Sequence, residues 1–310
     1  LPSKITFTHL LNPFRSAPGS EYDITSRLTF ASIRTAMEYA KASGVEVELI
    51  AVCYPEDLPA VEPPARALPV LNRSIQDFQT LNPVKKFPLV GDLVKAAGEH
   101  GTGDYVVFTN IDIILQPFFY SHVANVLRQF GSYAPAFVIN RRIVSMGVTD
   151  PSGLPGLYAE DGRSHLGYDC FVFPRAWATK VDTGSLCIGT NLFDSVLFAL
   201  LDQQSGYKMK CFARQRLTLH MGDDQKYLKE YMEYNRVEAI RVMAAARAKT
   251  DKPIPPWSAF AWRELLVNEG KFVGSPVPLH HKIAWRLIEE MSLRKTRRLL
   301  RDYLKTLPKA

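Results

Sequence analysis

The sequence predicts an α/β fold: a mixed, mainly parallel sheet flanked by helices, followed by a helical C-terminal extension. Three observations predict it. Short β-rich runs alternate with helical patterns through the first hundred residues, as in βαβ units. The 310 residues are 46% hydrophobic and 22% charged, with 18 Gly and 21 Pro. That is globular composition, which sets aside collagen-like, disordered and disulfide-scaffold classes. Basic residues gather at the C-terminal end, apart from a body close to neutral.

The run Lys-Ile-Thr-Phe-Thr-His-Leu-Leu over 4–11 alternates and is β-rich, so it reads as a first strand. A loop with turn chemistry follows at 12–20, containing Asn12, Pro13, Phe14, Pro18 and Gly19. Leu28, Ile33, Met37 and Tyr39 mark a helix over 23–43, stopped by Gly44. A second strand spans 45–54, and the Pro-rich stretch 55–69 reads as irregular. A short strand at 68–71 precedes a helix over 84–100, closed by Gly101. Residues 104–109 (Asp-Tyr-Val-Val-Phe-Thr) form a continuous buried strand. The second half predicts helices at 122–130, 191–205 and 225–249, and strands at 134–144, 166–174, 185–188 and 207–213. The expected organisation is a catalytic domain over 1–250, divided into halves at 1–115 and 116–250, and an extension over 251–310.

Net charge is +7 from 38 basic and 31 acidic residues. Nine basic and three acidic residues fall within 282–310, so that tail carries +6 and the remainder about +1. A nearly neutral body without a recognition motif argues against nucleic-acid binding. Beyond Ala284 the tail sets an apolar stripe (Leu287, Met291, Leu299, Leu300, Tyr303, Leu304, Leu307) against these charges, a composition suited to an anionic membrane surface. A helix packed on the domain with its charges in solvent has the same composition. No run approaches the ~18 apolar residues of a membrane span, and the first residues lack the pattern of a signal peptide. Cys53, Cys170, Cys187 and Cys211 form no Cys-x-x-Cys pair and have apolar neighbours. Buried thiols in a reducing compartment are expected, hence a cytoplasmic protein, at the inner face of a membrane if the tail binds one.

The strongest local signal is Thr109-Asn110-Ile111-Asp112, where a buried strand ends in a polar cluster. Ligands of open α/β sheets sit at the carboxyl ends of strands, and an acid there can hold a hard divalent cation. A capping Asp would read the same way. His220 follows another β-like run and precedes Gly222, Asp223 and Asp224. Paired with a distant strand-end Asp it becomes a metal-ligand candidate, since imidazole suits Mn²⁺ better than Mg²⁺. Asp169 sits beside Gly167 at the start of an apolar strand. Asp194 lies in the first turn of a helix, where it also favours the helix dipole.

These residues resemble a family. The chain is similar, over roughly 4–224, to GT-A-fold (Rossmann-related) glycosyltransferases of the family 2 type, which use nucleotide-diphosphate sugars. Asn110-Ile111-Asp112 stands where that family carries its Asp-x-Asp metal motif. Lys85 and Lys86, with Gly91 and Asp92, fall where it places a basic and polar helix start near the nucleotide. Gly189 to Asp194 matches its acceptor-side helix motif, and His220 its late metal-site His. Two departures stand out: Asn110 replaces the first acid of the metal motif, and Thr190 and Asn191 occupy the usual Glu-Asp positions. The resemblance implies a metal-assisted transfer of a sugar to an acceptor hydroxyl on a glycan or lipid-linked acceptor. Asn12, Pro13 and Phe14 would hold the nucleotide, with Lys86, Asp92 and Asn110. Asp112, His220 and Asn110 would hold Mn²⁺ or Mg²⁺. Arg141 and Arg142 would meet a phosphate or an anionic acceptor. Asp169 and Asp194 are the two candidates for the general base, and the Gly-x-Asp-x-Phe-x-Phe setting favours Asp169. A sugar nucleotidyltransferase would need a Gly-rich turn after the first strand, whereas 12–20 holds one Gly and two Pro. A non-enzymatic membrane-surface adaptor driven by the tail is the remaining alternative.

Overall fold

The computed structural model describes residues 4–131, 135–165, 167–212, 215–222 and 227–250. The chain divides into two units, 1–270 and 271–310, and every described residue lies in the first. The expected extension over 251–310 therefore lies outside the described residues, as do Asp223 and Asp224.

The elements run β1 (Thr6–Leu11), α1 (Glu21–Ala42), β2 (Glu46–Val52), β3 (Arg66–Leu68), α2 (Val90–His100), β4 (Tyr105–Thr109) and β5 (Ile114–Leu115). There follow α3 (Phe119–Phe130), β6 (Phe137–Ile139), β7 (Arg142–Val144), α4 (Leu154–Ala159), β8 (Arg163–Ser164) and β9 (Cys170–Pro174). The last described elements are α5 (Phe193–Gln204), β10 (Lys210–Phe212), β11 (Thr218–Met221) and α6 (Lys229–Ala248). A seven-stranded sheet has the order β10-β6-β9-β4-β1-β2-β3. Its strands are parallel except β9, which runs antiparallel to both β4 and β6. A four-stranded sheet, β5-β11-β7-β8, stands beside it.

The central strands are buried on both faces, which is why they read as continuous apolar runs. Along β4, Val107 packs with Phe30 and Ile33 of α1 and Phe119 and Val123 of α3. Its neighbours Val106 and Phe108 point the other way, toward Leu93 and Val94 of α2 and Leu197 and Leu201 of α5. Ser20 caps α1 by accepting from Asp23 N, while Asp23 accepts in return from Gly19 N. No described helix is long and apolar enough to cross a membrane.

Several expected elements change. The helix expected at 84–100 begins at Val90, because Pro88 disfavours helical backbone at Phe87. The strand expected over 134–144 is two strands, β6 and β7, in different sheets. No strand forms at 185–188, where only a bridge joins Leu89 to Cys187. Side chains of α6 take that backbone instead: Glu238 accepts from Ser185 N, and Asn235 both accepts from Cys187 N and donates to its carbonyl. The strands expected at 166–174 and 207–213 shorten to β9 and β10. Cys53, Cys170 and Cys187 are buried as expected, but Cys211 is exposed on the edge strand β10.

Candidate active site

Pairing register gathers distant residues at one edge of the large sheet. β4 ends at Thr109, and Ile113 N donates to the Asn110 carbonyl, closing a turn that carries Asp112. Cys170, the first residue of β9, pairs with Thr109 on one side and Ile139 on the other. Asp169 therefore lies at the carboxyl ends of β4 and β6. β6 leaves the large sheet through Asn140 and Arg141 to become β7 of the small one, where Ile143 pairs with His220 of β11.

Arg141 Nη1 donates to Asp169 Oδ1 at 2.5 Å, with only 5% and 7% of the two residues exposed. Among the described residues, neither the second oxygen of Asp169 nor Arg141 Nε has a hydrogen-bond partner. His165 Nδ1, which accepts from Gly167 N, stands 3.6 Å from that second oxygen. Asn140 fastens the loop by donating to the carbonyls of His165 and Gly167. A Cβ on Gly167 would come within 2.6 Å of the His165 ring, so a side chain here would push that ring out of its present position.

Asp194 enters the same neighbourhood from the start of α5. Tyr168 N and Ser195 N donate to its two oxygens at 3.2 and 2.8 Å. Burial, aided by the charge of Asp169, holds its carboxyl above the usual range against those two donors. The preceding turn is strained: Leu192 is buried with φ of 68°, a region rare for a bulky side chain. Burial, then the charge of Asp194, pushes the Tyr227 hydroxyl up to about 12; Asp169 and Asp112 add to this and Arg141 opposes it.

Asp112 Oδ2 lies 3.3 Å from His220 Nε2. His220 Nδ1 donates to the Gly222 carbonyl at 2.8 Å; the protonated ring then donates to Asp112 through Nε2, and loss of that second proton frees the Nε2 lone pair for a cation. Burial pushes the Asp112 carboxyl up, but the hydrogen bond and charge of His220 outweigh it and the net shift is downward. Its Oδ1 is buried without a partner among the described residues. A ring nitrogen tied to a carbonyl through its other nitrogen, facing a carboxylate with an unused oxygen, fits a divalent cation. Among the described residues no group of three or more His, Cys, Asp or Glu assembles, so the protein would supply two such ligands.

The other expected site residues lie along the carboxyl ends of β1 and β2. Asn12 is buried and donates to the Val52 carbonyl, tying the two strand ends together. Pro13 is buried, and Phe14 is 38% exposed, meeting Tyr22 edge-on. Lys86 lies over the Tyr54 ring and pairs with Glu56, while Asp92 receives two hydrogen bonds from Arg73. Arg141 and Arg142 were expected to meet an anion. Arg141 is instead bonded to Asp169, and Arg142 donates to the Asp161 and Gly162 carbonyls and Ser164 Oγ, clasping the turn before β8. Sequence reasoning missed His165, Asn140, Tyr227 and Asp57, which accepts from Arg15 N in the loop after β1. His165 and Asn140 could have been found from their polar types beside an apolar strand; nothing local marks Tyr227.

No family model matches the sequence, and no curated protein matches it. Solved structures do. TarS 1–349 from S. aureus in complex with UDP-GlcNAc is 12% identical, covering 90% of this chain and 78% of that one, with a TM-score of 0.52. The same protein in complex with UDP gives 12% identity, 91% and 78% coverage, and 0.51. Glucosyl-3-phosphoglycerate synthase from M. tuberculosis, in complex with Mn²⁺, UDP and phosphoglyceric acid, gives 14%, 81% and 80%, and 0.41. The likeness to TarS carries the fold, and the chain has the GT-A-type α/β architecture that its own motifs lead one to expect.

Proposed function

We propose that the protein is a glycosyltransferase moving a sugar from a nucleotide-diphosphate donor to an acceptor hydroxyl. The observation that carries this reading is the gathering of Asp112, His220, Asp169, Arg141 and Asp194 where the large sheet passes into the small one. The nucleotide lies against Asn12, Pro13 and Phe14, with Asp57, Lys86 and Asp92 on its base and ribose side. Asp112 and His220, with Asn110 beside them, would hold Mn²⁺ or Mg²⁺, which when bound would neutralise charge on the diphosphate.

Asp194 is the better base of the two acids. A carboxylate whose affinity for protons is raised by burial is suited to accept one near neutral pH. Asp169 already accepts from the buried Arg141 guanidinium at 2.5 Å, so one of its oxygens is committed to that pair. As the acceptor oxygen bonds to the anomeric carbon, its proton passes to Asp194 and the bond to the diphosphate breaks. Asp169 and Arg141 act by positioning, through the loop that also holds Asp194 at Tyr168 N.

UDP is the first nucleotide to try, since TarS binds UDP and UDP-GlcNAc. UDP should raise Tm more than GDP or CDP, and Mn²⁺ should add to the shift. With UDP-GlcNAc and Mn²⁺ the full chain should release UDP, and Asp194→Asn should not. No shift with any nucleotide and no donor cleavage would leave the adaptor reading; pyrophosphate release from a sugar phosphate and a nucleoside triphosphate would indicate a nucleotidyltransferase. We also propose that the acceptor is a glycan or lipid-linked glycan and that the 251–310 extension meets an anionic membrane at its cytoplasmic face. Co-sedimentation with anionic vesicles, lost as salt rises, tests the second point.

A further inference from the structure

A groove of about 510 Å³ opens between α1 and α3. It lies beside Val45, at the start of β2, whereas the acid cluster lies at the carboxyl ends of the strands. Tyr39 on α1 and Phe118 just ahead of α3 line it, 50% and 42% exposed. Ser43 and Asn125 add neutral polar groups between them. Ser121 Oγ and His122 Nε2 are buried behind this wall, without a hydrogen-bond partner among the described residues. Arg128 donates to Asn125 Oδ1 at 3.0 Å, and no described carboxylate pairs with it.

Each feature narrows the ligand. Half-exposed aromatic rings among small polar groups match a sugar ring, whose C–H face packs on the aromatic and whose hydroxyls exchange hydrogen bonds with the wall. A guanidinium without an acid partner favours an anionic group on that ligand. The walls have too little apolar depth for the buried anchor of a protein partner. One arginine is too few for an anionic bilayer, where attraction accumulates over several cations. A nucleoside diphosphate would bring two charged phosphates to a single arginine.

We propose that this groove is a second saccharide-binding site, taking a sugar unit that carries a carboxylate or a phosphate. It is separate from the acid cluster and needs no donor, so its binding can be read whether or not the protein transfers sugar. The test uses the full chain, with glucuronate and glucose 1-phosphate as anionic probes and glucose and UDP as controls. Ligand-observed NMR should detect at least one anionic sugar, with glucose about tenfold weaker, the scale of one charge-assisted hydrogen bond. Which anionic probe binds more tightly distinguishes carboxylate from phosphate. Arg128→Gln should bring the anionic sugar down to the level of glucose, and Phe118→Ala should weaken both sugars. Both residues are partly exposed, and matching Tm values would establish that the variants fold. UDP should leave the sugar bound. Failure of both anionic sugars to bind, equal binding of glucose, wild-type binding by Arg128→Gln, or displacement by UDP would each overturn the proposal.

Discussion

Charged side chains are handled in opposite ways by two regions of the molecule, the β1–β3 side of the large sheet and the junction of the large and small sheets. Around β1 to β3 they pair at the surface: Arg73 with Asp92, Lys86 with Glu56, and Arg34 with Glu62. Around β6, β9 and β11 they are withdrawn from solvent, as Arg141 with Asp169 and Asp112 with His220. The second set keeps polar atoms without partners, Asp112 Oδ1, Asp169 Oδ2 and Arg141 Nε. An exposed pair contributes little, because water screens it and two long side chains lose freedom. A buried pair balances large opposing terms, so removing one member leaves a charge without compensation. Chemistry belongs where polar groups are held away from water and left partly unpaired, and that is the second region.

The comparison breaks first at Arg141. Arg141→Met should cost about 3–5 kcal/mol in urea unfolding, because Asp169 is left buried and uncompensated. Adding Asp169→Leu should restore most of that loss. A cost under about 1 kcal/mol for the single change would place this pair with the surface ones.

Asp194→Asn should lower kcat about 100- to 10,000-fold with the protein folded and nucleotide binding retained. Since burial raises its carboxyl in the native protein, kcat should fall on acidification at a pH above the ordinary carboxylate range. A larger loss from Asp169→Asn with unchanged stability would move the base to Asp169.

Asp202, near the end of α5, sharpens the comparison without touching the site. It is 3% exposed and accepts from Met209 N, and burial pushes its carboxyl up to about 6. The native state then holds the proton more tightly than the unfolded chain, whose carboxyl is ordinary. Its contribution to stability should fall as pH rises from about 4 to about 6, by no more than about 3 kcal/mol. Asp202→Asn keeps an oxygen for Met209 N, so it should flatten this part of the Tm–pH curve and raise Tm at pH 7. An unchanged curve would mean that Asp202 titrates as a solvated group.

The smallest effect should come from Arg73→Ala. Arg73 is about half exposed, and its pair with Asp92 is screened, so unfolding free energy should change by no more than about 1 kcal/mol. Loss of nucleotide-induced stabilisation in this variant would give the pair a role in the donor site.

Local pattern was enough for the first half of the chain. Apolar runs and turn residues placed β1, α1, β2 and β4 within two residues of their observed ends, because a strand buried on both faces and a capped helix both leave marks in their own residues. Asp112 and His220 were likewise legible as candidates, since each follows a β-rich run with polar neighbours. The division of 134–144 between two sheets was not legible, because β6 and β7 are three residues each and take their identity from partners elsewhere. The backbone of 185–187 reads as a strand until Asn235 and Glu238, about fifty residues on, supply its hydrogen bonds. Arg141 illustrates the same limit at the site. As a sequence it is a free cation beside a strand, suited to a phosphate; only the antiparallel register of β9 brings Asp169 against it. The sequence by itself determined the α/β class and pointed to the strand carboxyl ends, with Asp112 and His220 among them, as the place of a candidate site. Tertiary structure decided which charges neutralise each other and which polar atoms stay unpaired. Hydrogen bonding and desolvation depend on neighbours in space, and strand register, not spacing along the chain, chose those neighbours.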